Sequence, residues 1–122
     1  MKSTTADSPA LDEATRLIKA FADPVRLRLL NLLGGSREVC VCHLHQALEL
    51  PQPTVSRHLA WLRKERLVVG RKEGLWVYYR LASPRTKLHR ALLASIETGL
   101  GDLDDFRHDL RRLERDRPCC DP

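Results

Sequence analysis

Leu11, Ala14, Leu17, Ile18 and Phe21 recur at the spacing of one helix face, which predicts a first helix over Pro9 to Phe21. Ser8 is placed to cap it, with Pro9 at the first helical position. Asp23-Pro24 repeats that start signal. The run from Val25 to Leu33 is apolar on several sides, so this second helix is expected at the centre of the molecule, ending at Gly34-Gly35. Val39 to Leu48 reads as a short third helix with Val41, Leu44 and Leu48 on one face. After Glu49-Leu50-Pro51, a fourth helix is predicted over Gln52 to Arg66, with Val55, Leu59 and Leu62 as its buried stripe. Its other face shows small polar and basic residues near the start.

Two helices joined by a tight turn, the second with such a face, make a helix-turn-helix. Leu67 to Arg71 and Trp76 to Leu81 follow as strands, with Lys72-Glu73-Gly74-Leu75 as the turn. A basic hairpin directly after a recognition helix is a wing. Ser83-Pro84 opens a fifth helix, with Leu88, Leu92 and Ile96 on one face, and Gly99 and Gly101 weaken its end. Leu103, Phe106, Leu110 and Leu113 form a later apolar seam; pairing with a second subunit is favoured over folding back. Pro118 ends that helix before a Cys-containing tail. The expected fold is mainly α (α+β): a winged helix-turn-helix of five to six helices with a two-stranded β-hairpin wing. The expected division is an N-terminal arm over 1–9, a DNA-binding and dimerisation domain over 10–98, and a C-terminal helix and tail over 99–122.

The length of 122 residues suits one domain. Aromatics are only 5% of the chain, so its core has to be built mostly of Leu, Val and Ala. No run of about 18 apolar residues exists to span a membrane, and no signal-peptide core is present, so a cytoplasmic location is expected. Between Arg57 and Arg80, seven Lys or Arg stand against two Glu, so this segment alone carries the net charge of +5. Charge concentrated this way suggests a face for a polyanion. The four cysteines are Cys40, Cys42, Cys119 and Cys120. In a cytosolic protein such pairs point to metal or redox chemistry more often than to structural disulfides.

Glu38-Val39-Cys40-Val41-Cys42-His43-Leu44 is similar to the Glu-Leu-Cys-Val-Cys-Asp-Leu box of arsenic-responsive members of the ArsR/SmtB family of bacterial repressors. Phe21 to Leu27, Pro53-Thr54-Val55-Ser56-Arg57-His58-Leu59 and Gly74 to Leu81 follow in the family's order. Two positions depart from the pattern. His43 stands in place of the family Asp, and His45 stands where many arsenic sensors have a third cysteine. The zinc-type site of relatives on the last core helix is read as absent, since only His89 lies there.

The resemblance implies a homodimeric repressor of an arsenic-resistance operon. It would bind double-stranded operator DNA with an inverted repeat, take arsenite (trivalent arsenic) as inducer, use no catalytic cofactor, and contact no membrane. Gln52, Ser56 and Arg57 match DNA-contacting positions, with Thr54 and His58 as neighbours. Arg57 is the candidate for a guanine, and Arg63, Lys64, Arg71 and Lys72 are candidates for phosphates. Trp61 and Trp76 are expected to pack, and His89 and His108 to lie on the surface.

Arsenite is thiophilic, and soft centres select Cys ligands. On an intact helix, residues two apart point about 200° from one another. Cys40 and Cys42 would then reach one arsenic atom only by unwinding the first turn of the third helix. The third ligand is left open among Cys119, Cys120, His45 and a water-derived oxygen. Rival readings are a cadmium, lead or zinc sensor, for which Cys40, Cys42, His43 and His45 nominally supply four ligands, and a thiol-redox sensor. An enzyme is disfavoured, because the chain has no Cys-x-x-Cys, phosphate loop or nucleotide-binding Gly motif.

Overall fold

The structure, a computed structural model, describes residues 8–115. The expected tail with Pro118, Cys119 and Cys120 lies outside the described residues. The elements run α1 (Pro9–Phe21), α2 (Pro24–Leu32), β1 (Val39–Cys40), α3 (Val41–Leu48), α4 (Gln52–Lys64), β2 (Val68–Glu73), β3 (Trp76–Leu81), α5 (Lys87–Ser95), a π-helical turn (Ile96–Leu100) and α6 (Asp104–Arg115). This is a mainly α winged helix-turn-helix.

The predicted helix starts carry the predicted caps. Ser8 Oγ accepts from the Leu11 N–H at 3.0 Å, and Asp23 Oδ2 accepts from the Arg26 N–H at 3.0 Å. The turn between α3 and α4 closes on Glu49, whose φ of 57° lets its own N–H reach Gln46 O while the Leu50 N–H reaches His45 O. Leu29, Leu30, Leu44, Leu48, Leu59 and Leu62 are fully buried where α2, α3 and α4 meet. The core is therefore leucine-rich, as the scarcity of aromatics requires.

Several expectations need correction. Val39 and Cys40 are not helical. They form β1, which pairs antiparallel with β3 (Val39 with Tyr79, Cys40 with Tyr78). The wing is thus a three-stranded sheet in the order β1-β3-β2, and its hairpin turn is confined to Gly74-Leu75. Gly70 faces Tyr79 across the hairpin, and a Cβ there would sit 3.0 Å from the ring. The absence of that Cβ lets Tyr79 lie inward, 8% exposed.

The fifth helix starts at Lys87 rather than at Ser83-Pro84, because the Thr86 hydroxyl accepts from the His89 N–H at 3.0 Å and supplies the cap. His89 is buried instead of lying on the surface, while Trp61 and Trp76 are 45% and 38% exposed rather than packed inside.

The largest correction concerns the C-terminal seam. Helix α6 folds back on its own domain, burying Phe106 and Leu113. The reason is Asp109, which lies on the same face as Phe106 and Leu113 and is wholly buried. Arg28 of α2 donates to both of its carboxylate oxygens at 2.8 Å, and Arg112 donates to it at 2.7 Å. Arg28 also donates to Leu48 O at 3.0 Å, and Arg112 to Ala47 O at 2.6 Å. These carbonyls end α3 and have no partner within the helix. One carboxylate thus joins α2, α6 and the end of α3. A carboxylate on an apolar stripe needs such partners, and they are in the same chain.

Asp109→Ala should cost about 3 kcal/mol of stability, because it leaves two guanidinium groups facing an apolar gap. Urea unfolding would show the loss, with Leu103→Ala, at an exposed position of the same region, changing the midpoint little.

Candidate functional site

Cys40 and Cys42 sit at the junction of sheet and helix. Cys40 is the N-cap residue of α3, with an extended backbone (φ −69°, ψ 143°). Cys42 lies in the first turn. Because Cys40 belongs to the strand, the 200° separation of an intact helix does not apply, and the two Sγ atoms lie 3.1 Å apart. The expectation that the first turn of α3 must unwind is therefore overturned. Cys40 is 2% exposed, and Cys42 is half-buried.

The histidines beside the box do not complete a metal site. His45 Nδ1 donates to Leu50 O at 3.1 Å, which ties its ring to the turn before α4. Among the described residues, no three His, Cys, Asp or Glu side chains come together in a way that would hold a metal ion. The four-ligand set of Cys40, Cys42, His43 and His45 is thus not assembled. Cys119 and Cys120 fall outside the described residues.

The box is also fastened to the wing through side chains. Arg71 of β2 donates to both oxygens of Glu38, at 2.7 and 3.0 Å, and to Glu73 at 2.7 Å, and its guanidinium lies 4.8 Å over the Tyr78 ring. The hydrogen bonds from Arg71 hold the Glu38 carboxyl below the usual carboxylate range, and those to Glu38 and Glu73 raise the pKa of Arg71. No local sequence signal marks this pairing, since Glu38 and Arg71 are 33 residues apart.

On α4, Gln52, Ser56, Arg57, Arg63 and Lys64 are exposed, and Thr54 and His58 are half-buried. Pro51 occupies the N-cap and no side chain caps the helix, so the hydroxyls of Thr54 and Ser56 are not used there. His58 faces α2. Its Nδ1 lies 3.6 Å from Asp23 and 3.3 Å from the Arg26 guanidinium, which itself lies 3.9 Å over the Trp61 ring. Lys72 is exposed on the wing, and Arg71 is exposed but engaged by its two carboxylates. The basic segment therefore divides into an exposed α4 face, an exposed Lys72 and a paired Arg71.

Residues 23–69, which contain the helix-turn-helix and the Cys box, match the bacterial regulatory proteins of the arsR family. Over 109 residues the chain is 35% identical to the arsenic resistance transcriptional regulator ArsR2 of Pseudomonas putida, covering 85% of this chain and 95% of that protein. The chain belongs to the arsR family. It is a DNA-binding transcriptional regulator, and the family's members are not enzymes. The arsenical resistance operon repressor of Escherichia coli is 49% identical over 67 residues, a match spanning 55% of this chain and 57% of that one. Among solved structures, HlyU from Vibrio cholerae superposes with a TM-score of 0.66 at 35% identity, covering 77% of this chain and 99% of that one. No described helix is long and apolar enough to cross a membrane.

His58 and His89 are both held below the ordinary imidazole range, mainly by burial. The unfolded chain takes up protons at these positions near pH 6.5 while the folded chain resists them. Stability should therefore fall as pH drops through about 6.5 and level off below the folded pKa values. Urea midpoints at pH 7.5 and 5.5 would show the drop, and His58→Gln should make it smaller.

Proposed function

We propose that this regulator is a homodimeric repressor of arsenic-resistance genes that leaves its operator when trivalent arsenic binds Cys40 and Cys42. The observation that carries the reading is the 3.1 Å separation of the two sulfurs, which lets a single soft atom take both. The arsenic-resistance names of the Pseudomonas and Escherichia relatives support the same choice of ligand. Zinc is less well served, because it takes four ligands and the box offers two. Cys119 or Cys120, from either subunit, is the proposed source of a third sulfur.

Gln52, Ser56 and Arg57 are proposed to read bases in the major groove, with Thr54 and His58 beside them. Arg63, Lys64 and Lys72 bind phosphates, and Arg71 does so on giving up the Glu38 and Glu73 carboxylates that hold it. With the C-terminal seam buried within the chain, dimerisation falls to other surfaces. Leu11 and Ile18 of α1, 60% and 49% exposed, are the apolar residues best placed for it. Two-fold symmetry then calls for an inverted-repeat operator.

The switch follows from where the thiols are anchored. Cys40 belongs to the wing sheet, and Cys42 belongs to the helix that precedes α4. An atom bonded to both fixes the wing against the helix-turn-helix. Ligand and DNA exclude one another if the DNA-bound form holds these two bodies at a different angle, so that arsenic binds the free form more tightly.

A second reading, a thiol-redox-responsive repressor, is favoured by the same contact between the sulfurs. Anisotropy of labelled promoter DNA in reductant tests the first reading. Arsenite should release the wild type and leave Cys40→Ser and Cys42→Ser bound. Release by peroxide but not by arsenite would favour the redox reading, and release by neither would remove both. In the same assay Arg57→Ala should weaken binding about 5- to 150-fold, which corresponds to about 1–3 kcal/mol. Lys72→Gln should lessen the salt dependence.

A further inference from the structure

Arg71 pairs across the hairpin with Tyr78, and Tyr78 pairs in turn with Cys40 of β1, so the three side chains share one face of the wing sheet. Over the Tyr78 ring the guanidinium reaches from β2 to Glu38, two residues before Cys40. Glu38 accepts from Nε at 3.0 Å and from Nη2 at 2.7 Å, and Glu73 accepts from Nη1 at 2.7 Å. Of the five N–H donors of an arginine, three are thus engaged by carboxylates. The edge filled by Glu38 is one that otherwise grips a phosphate through two parallel bonds.

The charges point the same way. One guanidinium against two carboxylates leaves the trio at −1. The exposed Lys72 beside it attracts a polyanion, while the trio as a whole repels one. The side chains of Arg71 and Glu38 are 48% and 34% exposed, so a phosphate reaches the guanidinium without unfolding the wing. It takes the two-bond edge only by displacing Glu38. An ion pair this exposed adds little stability, so it yields to a phosphate at modest cost.

We infer that Glu38 and the DNA backbone compete for Arg71, so that Glu38 is a positioning residue that lowers the affinity of this regulator for its operator. The inference rests on the proposed role of Arg71 as a phosphate contact and does not depend on the arsenic reading. In the free chain the Glu38–Arg71 clasp ties β1 to β2 across the intervening β3. On DNA, Arg71 turns to a phosphate and the clasp opens, while the backbone pairing of β1 with β3 stays in place. The relation is reciprocal: whatever holds Glu38 on Arg71 weakens DNA binding, and DNA weakens the clasp by the same factor.

A double-mutant cycle read by anisotropy of labelled promoter DNA tests this, using the full chain as wild type, Glu38→Gln, Arg71→Gln and the double variant. Glu38→Gln should tighten binding, and by at least about threefold more with Arg71 present than in the Arg71→Gln background. Simple removal of a negative charge near DNA would tighten both backgrounds alike, and that result would overturn the inference. So would weaker binding by Glu38→Gln, which is the sign expected if Glu38 only braced the wing. Urea midpoints of the four proteins, expected to lie close together, show that the comparison is made between folded chains. Arg71→Gln alone should weaken binding. If it does not, the phosphate role of Arg71 falls and the inference falls with it; if it does, and Glu38→Gln acts equally in both backgrounds, the inference alone falls.

Discussion

The pairing of Val39 and Cys40 with Tyr79 and Tyr78 is the constraint on which the thiol site and the wing both depend. It takes two residues out of what would otherwise be the first turn of α3. In doing so it turns the Cys40 side chain alongside that of Cys42. The same pairing makes the wing a sheet anchored at the helix-turn-helix rather than a free hairpin. Glu38, one residue before the strand, strengthens the anchor by holding Arg71 of β2 through two hydrogen bonds. A ligand spanning the two cysteines would thus act across a joint, with the wing on one side and the recognition helix on the other.

The other end of α3 is held differently. Arg28 and Arg112, locked onto the buried Asp109, donate to the carbonyls of Leu48 and Ala47. Helix α3 is therefore fixed to the wing at its N-terminus by backbone pairing, and to α2 and α6 at its C-terminus by charge-assisted hydrogen bonds. Helix α4 follows directly after the Glu49-Leu50-Pro51 turn, so it is joined through that turn to a helix held at both ends.

Much of this was legible in the sequence, and the misreadings share a cause. Helices α1, α2 and α4 declared themselves through caps and apolar period, because those signals are local. The Cys box was found from its resemblance to the arsenic-responsive members, and the basic segment from its charge count. What could not be read was pairing across distance. Val39 looked helical because its apolar neighbours continue the spacing of α3, and only β3, nearly 40 residues later, makes it a strand. Asp109 sits within an apolar seam, and a carboxylate on such a stripe is itself a sign that cationic partners lie opposite. The apolar spacing alone favours a second subunit over folding back, and only Arg28, 81 residues away in the same chain, decides for folding back. The burial of His89 has no local sign, because a histidine in a helix suits the surface as well.

The central claim is that Cys40 and Cys42 together hold one soft atom between wing and helix. Arsenic K-edge absorption spectroscopy of the arsenite-loaded protein tests this most directly, because it counts the sulfurs around the metalloid. The account predicts at least two sulfurs in the wild type, and one fewer when either Cys40 or Cys42 is replaced by Ser. An unchanged sulfur count in both variants would place the arsenic elsewhere and contradict it.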